Sequence, residues 1–155
     1  MPVEIERKYL LRNNDWRLQA DEGTAYVQGY LIGSKQASVR LRIEGDKAFL
    51  NIKSATLSVS RKEYEYPVPM EEAQEILDTL CEAPLIEKTR YFIHQDGLKW
   101  EIDEFSGENQ GLIVAEVELD SEDQQIELPS WCGKEVSDDP RYYNVSLVKQ
   151  PYSKW

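Results

Sequence analysis

Residues that build the commonest thiol and imidazole sites are nearly missing from this chain. Cysteine occurs twice, at Cys81 and Cys132, and histidine once, at His94. Two cysteines exclude a disulfide scaffold and a four-thiolate zinc site, and read as reduced, buried thiols. One histidine excludes a multi-histidine metal centre and a Ser-His catalytic triad, so His94 reads as an exposed hairpin residue. No apolar run reaches the ~20 residues needed to cross a bilayer. The start, Met1 to Glu6, shows no basic stretch leading into an apolar one, so a cytoplasmic protein without secretory signal is expected. Positive charge is also scarce. Lysine and arginine number 18 against 29 acids, a net charge of −11, which disfavours nucleic acid and anionic membrane as partners.

What is present points to one folded domain over residues 1–155. Nine Tyr, four Trp and three Phe are too many large rings for a solvated tail. The dominant pattern is period-2 alternation, the signature of strands. It runs through Val3–Leu11, Ala25–Ile32, Lys35–Glu44, Lys47–Lys53, Arg61–Tyr66, Ile86–His94, Lys99–Phe105 and Leu112–Leu119. Glu44-Gly45-Asp46 and Gln95-Asp96-Gly97 read as hairpin turns, and Gly29 as a bulge or a close backbone approach. About eight mostly antiparallel strands can close into a barrel of small bore. One helix is expected over Pro69–Cys81, with Ala73, Ile76, Leu77 and Leu80 on its apolar stripe. A second is expected over Pro140–Val148, opened by proline.

Charge decorates these strands in an unusual way. Like charges recur two residues apart: Glu4/Glu6, Arg40/Arg42, Glu63/Glu65, Lys88/Arg90 and Glu116/Glu118. The bland account makes each pair part of a solvated sheet face. A solvated face, however, normally interleaves signs, because stacked like charges repel. The alternative is a closed barrel with the charges inside, where each must be paired or neutralised by a ligand. Clustered carboxylates suit Mg²⁺ or Mn²⁺, and clustered Arg and Lys suit phosphate oxygens. Together they describe a site for a metal-bound polyphosphate.

Glu4-Ile5-Glu6-Arg7-Lys8 is the E-x-E-x-K opening of the CYTH, or triphosphate tunnel metalloenzyme, superfamily. The later pieces follow in family order: Gln28-Gly29-Tyr30, Arg40-Leu41-Arg42, Lys53, Glu63-Tyr64-Glu65, Glu87 to Tyr91, Glu101-Ile102-Asp103 and Glu116-Val117-Glu118. The chain resembles the short bacterial inorganic triphosphatases of that superfamily. The resemblance implies a mainly β fold, an eight-stranded antiparallel closed barrel with a few flanking helices. Lys134–Asn144 is similar to the segment that plugs one tunnel mouth. It also implies that Glu4, Glu6, Asp103, Glu116 and Glu118 hold Mg²⁺ or Mn²⁺. Lys8, Arg40, Arg42, Lys53, Lys88 and Arg90 would hold the triphosphate, with Arg141 added from the plug. Lys8 with Tyr30 resembles a pair that tunes which phosphoryl bond breaks. Glu63 and Glu65 would hold the cations or support a second ion.

The implied activity is metal-dependent hydrolysis of inorganic triphosphate to pyrophosphate and phosphate. Thiamine triphosphatase, nucleoside triphosphatase and adenylate cyclase are the other activities of the superfamily. A binding module without catalysis would need the cations but not the carboxylate pairs. Trp16, Trp131 and Tyr142 could wall a thiamine site, although packing accounts for them equally. Apolar outer faces carrying Tyr64, Tyr66, Tyr91 and Ile93 exceed what one helix covers, so a homodimer is expected.

Overall fold

The computed structural model describes residues 3–34, 36–54 and 59–155. Lys35, where the third alternating segment was expected to begin, lies outside them. The strands are β1 (Val3–Leu11), β2 (Thr24–Gly33), β3 (Ala37–Glu44), β4 (Lys47–Ser54) and β5 (Ser60–Pro67), followed by β6 (Ile86–Gln95), β7 (Leu98–Phe105), β8 (Ile113–Glu118) and β9 (Cys132–Glu135). Every pairing is antiparallel. In space the order is β5-β4-β3-β2-β6-β7-β8-β1, and a further β5–β1 pairing closes the ring. Eight strands therefore form a closed barrel, as the alternation predicts. The edge of β1 away from β8 is shared, with β5 on Val3–Ile5 and β9 on Tyr9–Leu11. β9 was not foreseen, because Cys132-Gly133-Lys134-Glu135 is too short to display a period.

Two tight hairpins set the register. Gly45-Asp46 joins β3 to β4, with Gly45 at φ 62°. Asp96-Gly97 joins β6 to β7, with both residues at positive φ, as a two-residue turn matched to strand twist requires. Gly29 marks a close approach. A Cβ built there would lie 2.7 Å from Cys81 Sγ and 2.8 Å from Leu77, the residues that seat the end of the flanking helix on β2.

The apolar core lies mostly outside the barrel. On one flank Trp100, Ile102, Ala115 and Val117 are covered by Trp16 and Trp131 from the two long loops. Trp131 meets Trp100 edge-on at 5.2 Å, and Trp16 packs against Tyr91 at 5.2 Å. Trp16 and Trp131 are therefore core residues of the outer layer, and neither lines the lumen. Tyr91 and Ile93 are covered by the same layer, which removes them from the face expected to meet a second subunit. Tyr64 and Tyr66 stay half-buried and exposed, respectively, beside Val3 and Ile5. On the second flank α1 (Met70–Thr79) sets Ala73 and Leu77 on Leu41 and Ala48. Leu80, placed on that stripe by periodicity, sits at the helix end and is 64% exposed.

The C-terminal segment closes one end of the lumen. The expected single helix is two elements, a 3-10 turn over Pro140–Tyr142 and α2 (Asn144–Lys149), separated by the extended Tyr143 (φ −75°, ψ 137°). Val136, Tyr142, Leu147 and Val148 pack there against Tyr30, Phe105 and Val114, which carry the inward parity of their strands. Among the described residues no helix is long and apolar enough to cross a membrane.

Candidate active site

Strand parity turns the charged pairs inward. Glu4, Glu6 and Lys8 of β1, Arg40 and Arg42 of β3, and Glu63 and Glu65 of β5 all line one cavity of about 300 Å³. Lys53, Arg90, Glu101, Glu116 and Glu118 join them from β4, β6, β7 and β8. The solvated-face account of the charge pairs is thereby excluded. Charges of both signs share a confined bore, where their interactions exceed those in water.

Most cations are held by a specific carboxylate. Lys53 Nζ lies 3.1 Å from Glu4 Oε1 and 3.6 Å from Glu63 Oε2. Arg42 reaches Glu65 at 3.2 Å and Glu44 at 3.3 Å. Arg90 meets Glu101 at 2.8 Å and Asp103 at 2.8 Å. Lys8 Nζ donates to the Tyr142 carbonyl at 3.0 Å and stands 3.5 Å from Glu116. Arg40 differs. It is buried beside Tyr30, no carboxylate among the described residues lies within 4.0 Å of it, and its Nε has no hydrogen-bond partner among them. A buried guanidinium nitrogen left without a partner is costly unless an acceptor satisfies it.

Three of the expected site residues are elsewhere or otherwise engaged. Asp103, expected as a metal ligand, is fully buried, with both oxygens taken: Oδ1 by Arg90 Nε at 2.8 Å, Oδ2 by Lys88 Nζ at 2.8 Å and Arg90 Nη2 at 2.9 Å. It anchors cations and does not line the cavity. Arg141, expected to reach in from the plug, is an exterior residue. It pairs with Asp139 at 2.8 Å and stacks over Tyr142 and Trp155. The extended Tyr143 separates the turn bearing Arg141 from the helix that reaches the lumen. Lys88 shares the inward face of β6 with Arg90 but does not line the cavity: its side chain is 1% exposed, held between Asp103 and Asn144 of the C-terminal segment.

The carboxylates meet in pairs, in each of which one member is shifted up and the other held low. Burial, then the adjacent Glu116 and Glu4, push Glu6 well above the usual carboxylate range. Its hydrogen-bonded partner Glu116 is held low: burial opposes ionisation, but Lys8, Arg90 and Lys88 outweigh it. Glu4 is likewise held low against burial by Lys53, whereas burial and a hydrogen bond to Glu4 push Glu63 up to about 7. Lys88 falls to about 8, because burial outweighs Asp103. Among the described residues no three carboxylates stand close enough to cage a cation without adjustment. Glu6 and Glu116 nevertheless repel each other at close range, a repulsion that a divalent cation would relieve, so the all-oxygen donor set fits a hard metal.

Alternation also reaches lumen residues not assigned from sequence. Tyr26, Ser38, Glu44 and Arg61 line the cavity, each an even number of residues from an assigned neighbour on its strand. Tyr143 and Asn144 line it as well, and no strand pattern could have found them.

A CYTH domain model matches residues 2–151. An inorganic triphosphatase of Acetivibrio thermocellus is 46% identical over 155 residues, covering 100% of this chain and 99% of that protein. One from Nitrosomonas europaea is 38% identical over 151 residues, covering 94% of this chain and 97% of that protein. The crystal structure of the inorganic triphosphatase NE1496 superposes with a TM-score of 0.68 at 34% identity, covering 96% of this chain and 95% of that one.

Proposed function

Because the chain belongs to the CYTH domain family, we propose that it hydrolyses inorganic triphosphate to pyrophosphate and phosphate. The observation that carries this reading is the closed lumen, in which Arg40, Arg42, Lys53 and Arg90 face Glu4, Glu6, Glu116 and Glu118 across a single cavity. The cations bind and orient a linear polyanion, and the unpartnered Arg40 Nε gains its missing acceptor from a phosphate oxygen. Glu4, Glu6, Glu116 and Glu118 would hold Mg²⁺ or Mn²⁺. Such an ion, when bound, offsets phosphate charge and acidifies water.

Water attacks the terminal phosphorus, the bond to the bridging oxygen breaks, and pyrophosphate leaves with its electron pair. Arg and Lys stabilise the charge that builds on that leaving group, which is the main demand of phosphoryl transfer. Lys8, which donates to the Tyr142 carbonyl, and Tyr30, beside Arg40, would set which phosphate occupies the reacting position. Glu101 and Asp103 hold Arg90 in place.

Wild-type protein with Mg²⁺ or Mn²⁺ is expected to release phosphate from inorganic triphosphate with kcat/KM at least about tenfold above that for ATP or thiamine triphosphate. Chelator abolishes release, and ATP yields no cyclic AMP. Preference for an organic triphosphate, or binding without turnover, refutes the reading. Trp16 and Trp131 are packed in the outer core and do not wall a thiamine site.

We further propose a cytoplasmic enzyme that binds neither nucleic acid nor membrane, as its net charge of −11 favours. A homodimer through the exposed Val3, Ile5, Tyr64 and Tyr66 face is the proposed assembly. Sedimentation at micromolar concentration should return twice the mass of one chain. A single-chain mass, 18.0 kDa, rejects it.

A further inference from the structure

The segment closing the lumen brings a polar side chain of its own into the site. Asn144, the first residue of α2, lines the cavity between Lys88 and Gln28. Its Oδ1 lies 3.3 Å from Lys88 Nζ and 3.3 Å from Gln28 Nε2. Lysine can only donate, so the orientation of the amide is determined: Oδ1 faces Lys88 and Nδ2 faces away. Among the described residues Nδ2 donates to nothing. The neighbouring Tyr143 is pinned by donating from Oη to the Ser137 carbonyl at 2.7 Å, and its ring lies under Lys8 at 5.5 Å and Arg61 at 4.8 Å. Tyr142, Leu147 and Val148 anchor the segment in apolar contact. Asn144 is thus held firmly, with two free N–H groups beside a lumen of buried cations.

We infer that Asn144 is a substrate-binding residue supplied by the C-terminal plug, donating from Nδ2 to a phosphate oxygen at the closed end of the lumen. This rests on the triphosphatase reading above. The plug then does more than exclude solvent. It completes the phosphate site with a neutral donor and ties the buried Lys88 to the same phosphate through the Asn144 amide. Arg40 on the lumen wall acts on the anion directly, and Lys88 acts on it through the Asn144 amide. A neutral donor suits this position, since a further cation would crowd Lys88 and Arg90.

The test compares wild type, Asn144→Ala and Asn144→Asp in steady-state hydrolysis of inorganic triphosphate with Mg²⁺ or Mn²⁺, after thermal melts confirm that each variant is folded. Asn144→Ala is expected to raise KM about tenfold, the typical loss of one hydrogen bond to a charged group, with kcat within about threefold of wild type. Asn144→Asp keeps an acceptor for Lys88 and Gln28, and so preserves the scaffold, but has no N–H to donate. Its KM is expected to rise at least as far. Wild-type KM in Asn144→Asp overturns the inference, as does an unchanged KM in Asn144→Ala. Absence of turnover in wild type overturns the triphosphatase reading and this one with it, whereas wild-type turnover with unaltered variants overturns this one alone.

Discussion

Glu6→Ala is expected to lower metal-dependent phosphate release about a thousandfold, equivalent to about 4 kcal/mol of transition-state stabilisation, while leaving the barrel folded. Both halves follow from the surroundings of Glu6. Its carboxyl is buried in the lumen, hydrogen-bonded to Glu116, and pushed far above its usual range by burial and by Glu116 and Glu4. That arrangement costs stability, and removing the side chain relieves repulsion, so the thermal midpoint of the variant should equal or exceed that of wild type. A carboxyl that costs stability at this place is accounted for if it serves to hold a cation. Glu118→Ala provides the companion case. Glu118 is exposed at the lumen wall, directly across the β1–β8 ladder from Glu6, so its loss should leave the midpoint unchanged and still reduce turnover. Circular-dichroism melts beside phosphate release decide the matter. Activity within tenfold of wild type in both variants would show that these carboxylates do not serve the reaction.

Asp103→Ala should act in the opposite sense, chiefly on stability. One carboxylate there neutralises Lys88 and Arg90 in a fully buried setting, through three hydrogen bonds of 2.8 to 2.9 Å. Removing it leaves buried cations uncompensated, which typically costs about 3–5 kcal/mol. For a chain of this size that lowers the midpoint by roughly 6–20 °C. Arg90 keeps Glu101 at 2.8 Å, so Lys88 bears most of the loss. Its folded-state pKa, already depressed to about 8 by burial, falls further without Asp103. A lysine depressed in the folded state binds fewer protons there than when unfolded. Stability of the variant therefore rises with pH from its folded-state pKa towards the unfolded value, and the deficit is larger at pH 6 than at pH 9. The double variant Lys88→Met/Asp103→Leu should regain most of the midpoint, since no charge is left without its partner. Denaturant melts of the three proteins at the two pH values give the answer, and an Asp103→Ala midpoint within 2 °C of wild type contradicts it.

The fold was legible because period-2 alternation is a local property. Each pair such as Arg40/Arg42 or Glu116/Glu118 announces its strand within a few residues, and Gly45 and Gly97 mark the turns through positive φ. Leu80 and the broken C-terminal helix were misjudged for one reason. Both lie at element ends, where packing against a neighbour and not the 3.6-residue period decides the last turn. The roles of Asp103 and Arg141 were beyond local reading altogether. A carboxylate two residues from Glu101 on the same face has the sequence appearance of a lumen ligand, yet Lys88 and Arg90 of the adjacent strand claim both of its oxygens. An arginine beside the plug is drawn outward because Asp139, two residues away, is its nearest anion.

By itself, then, the sequence determined which residues share a face, that eight strands could close, and that paired carboxylates and paired cations recur along those strands. Parity and residue type carry those facts, and neither depends on distant contacts. Only the tertiary structure decided which face turned inward, which carboxylate answers which cation, and that Asn144 enters the lumen from a segment more than a hundred residues from Lys8 and Gln28. The reason is physical. Confinement makes each buried charge depend on partners brought by ring closure, and those partners come from strands that the chain visits far apart.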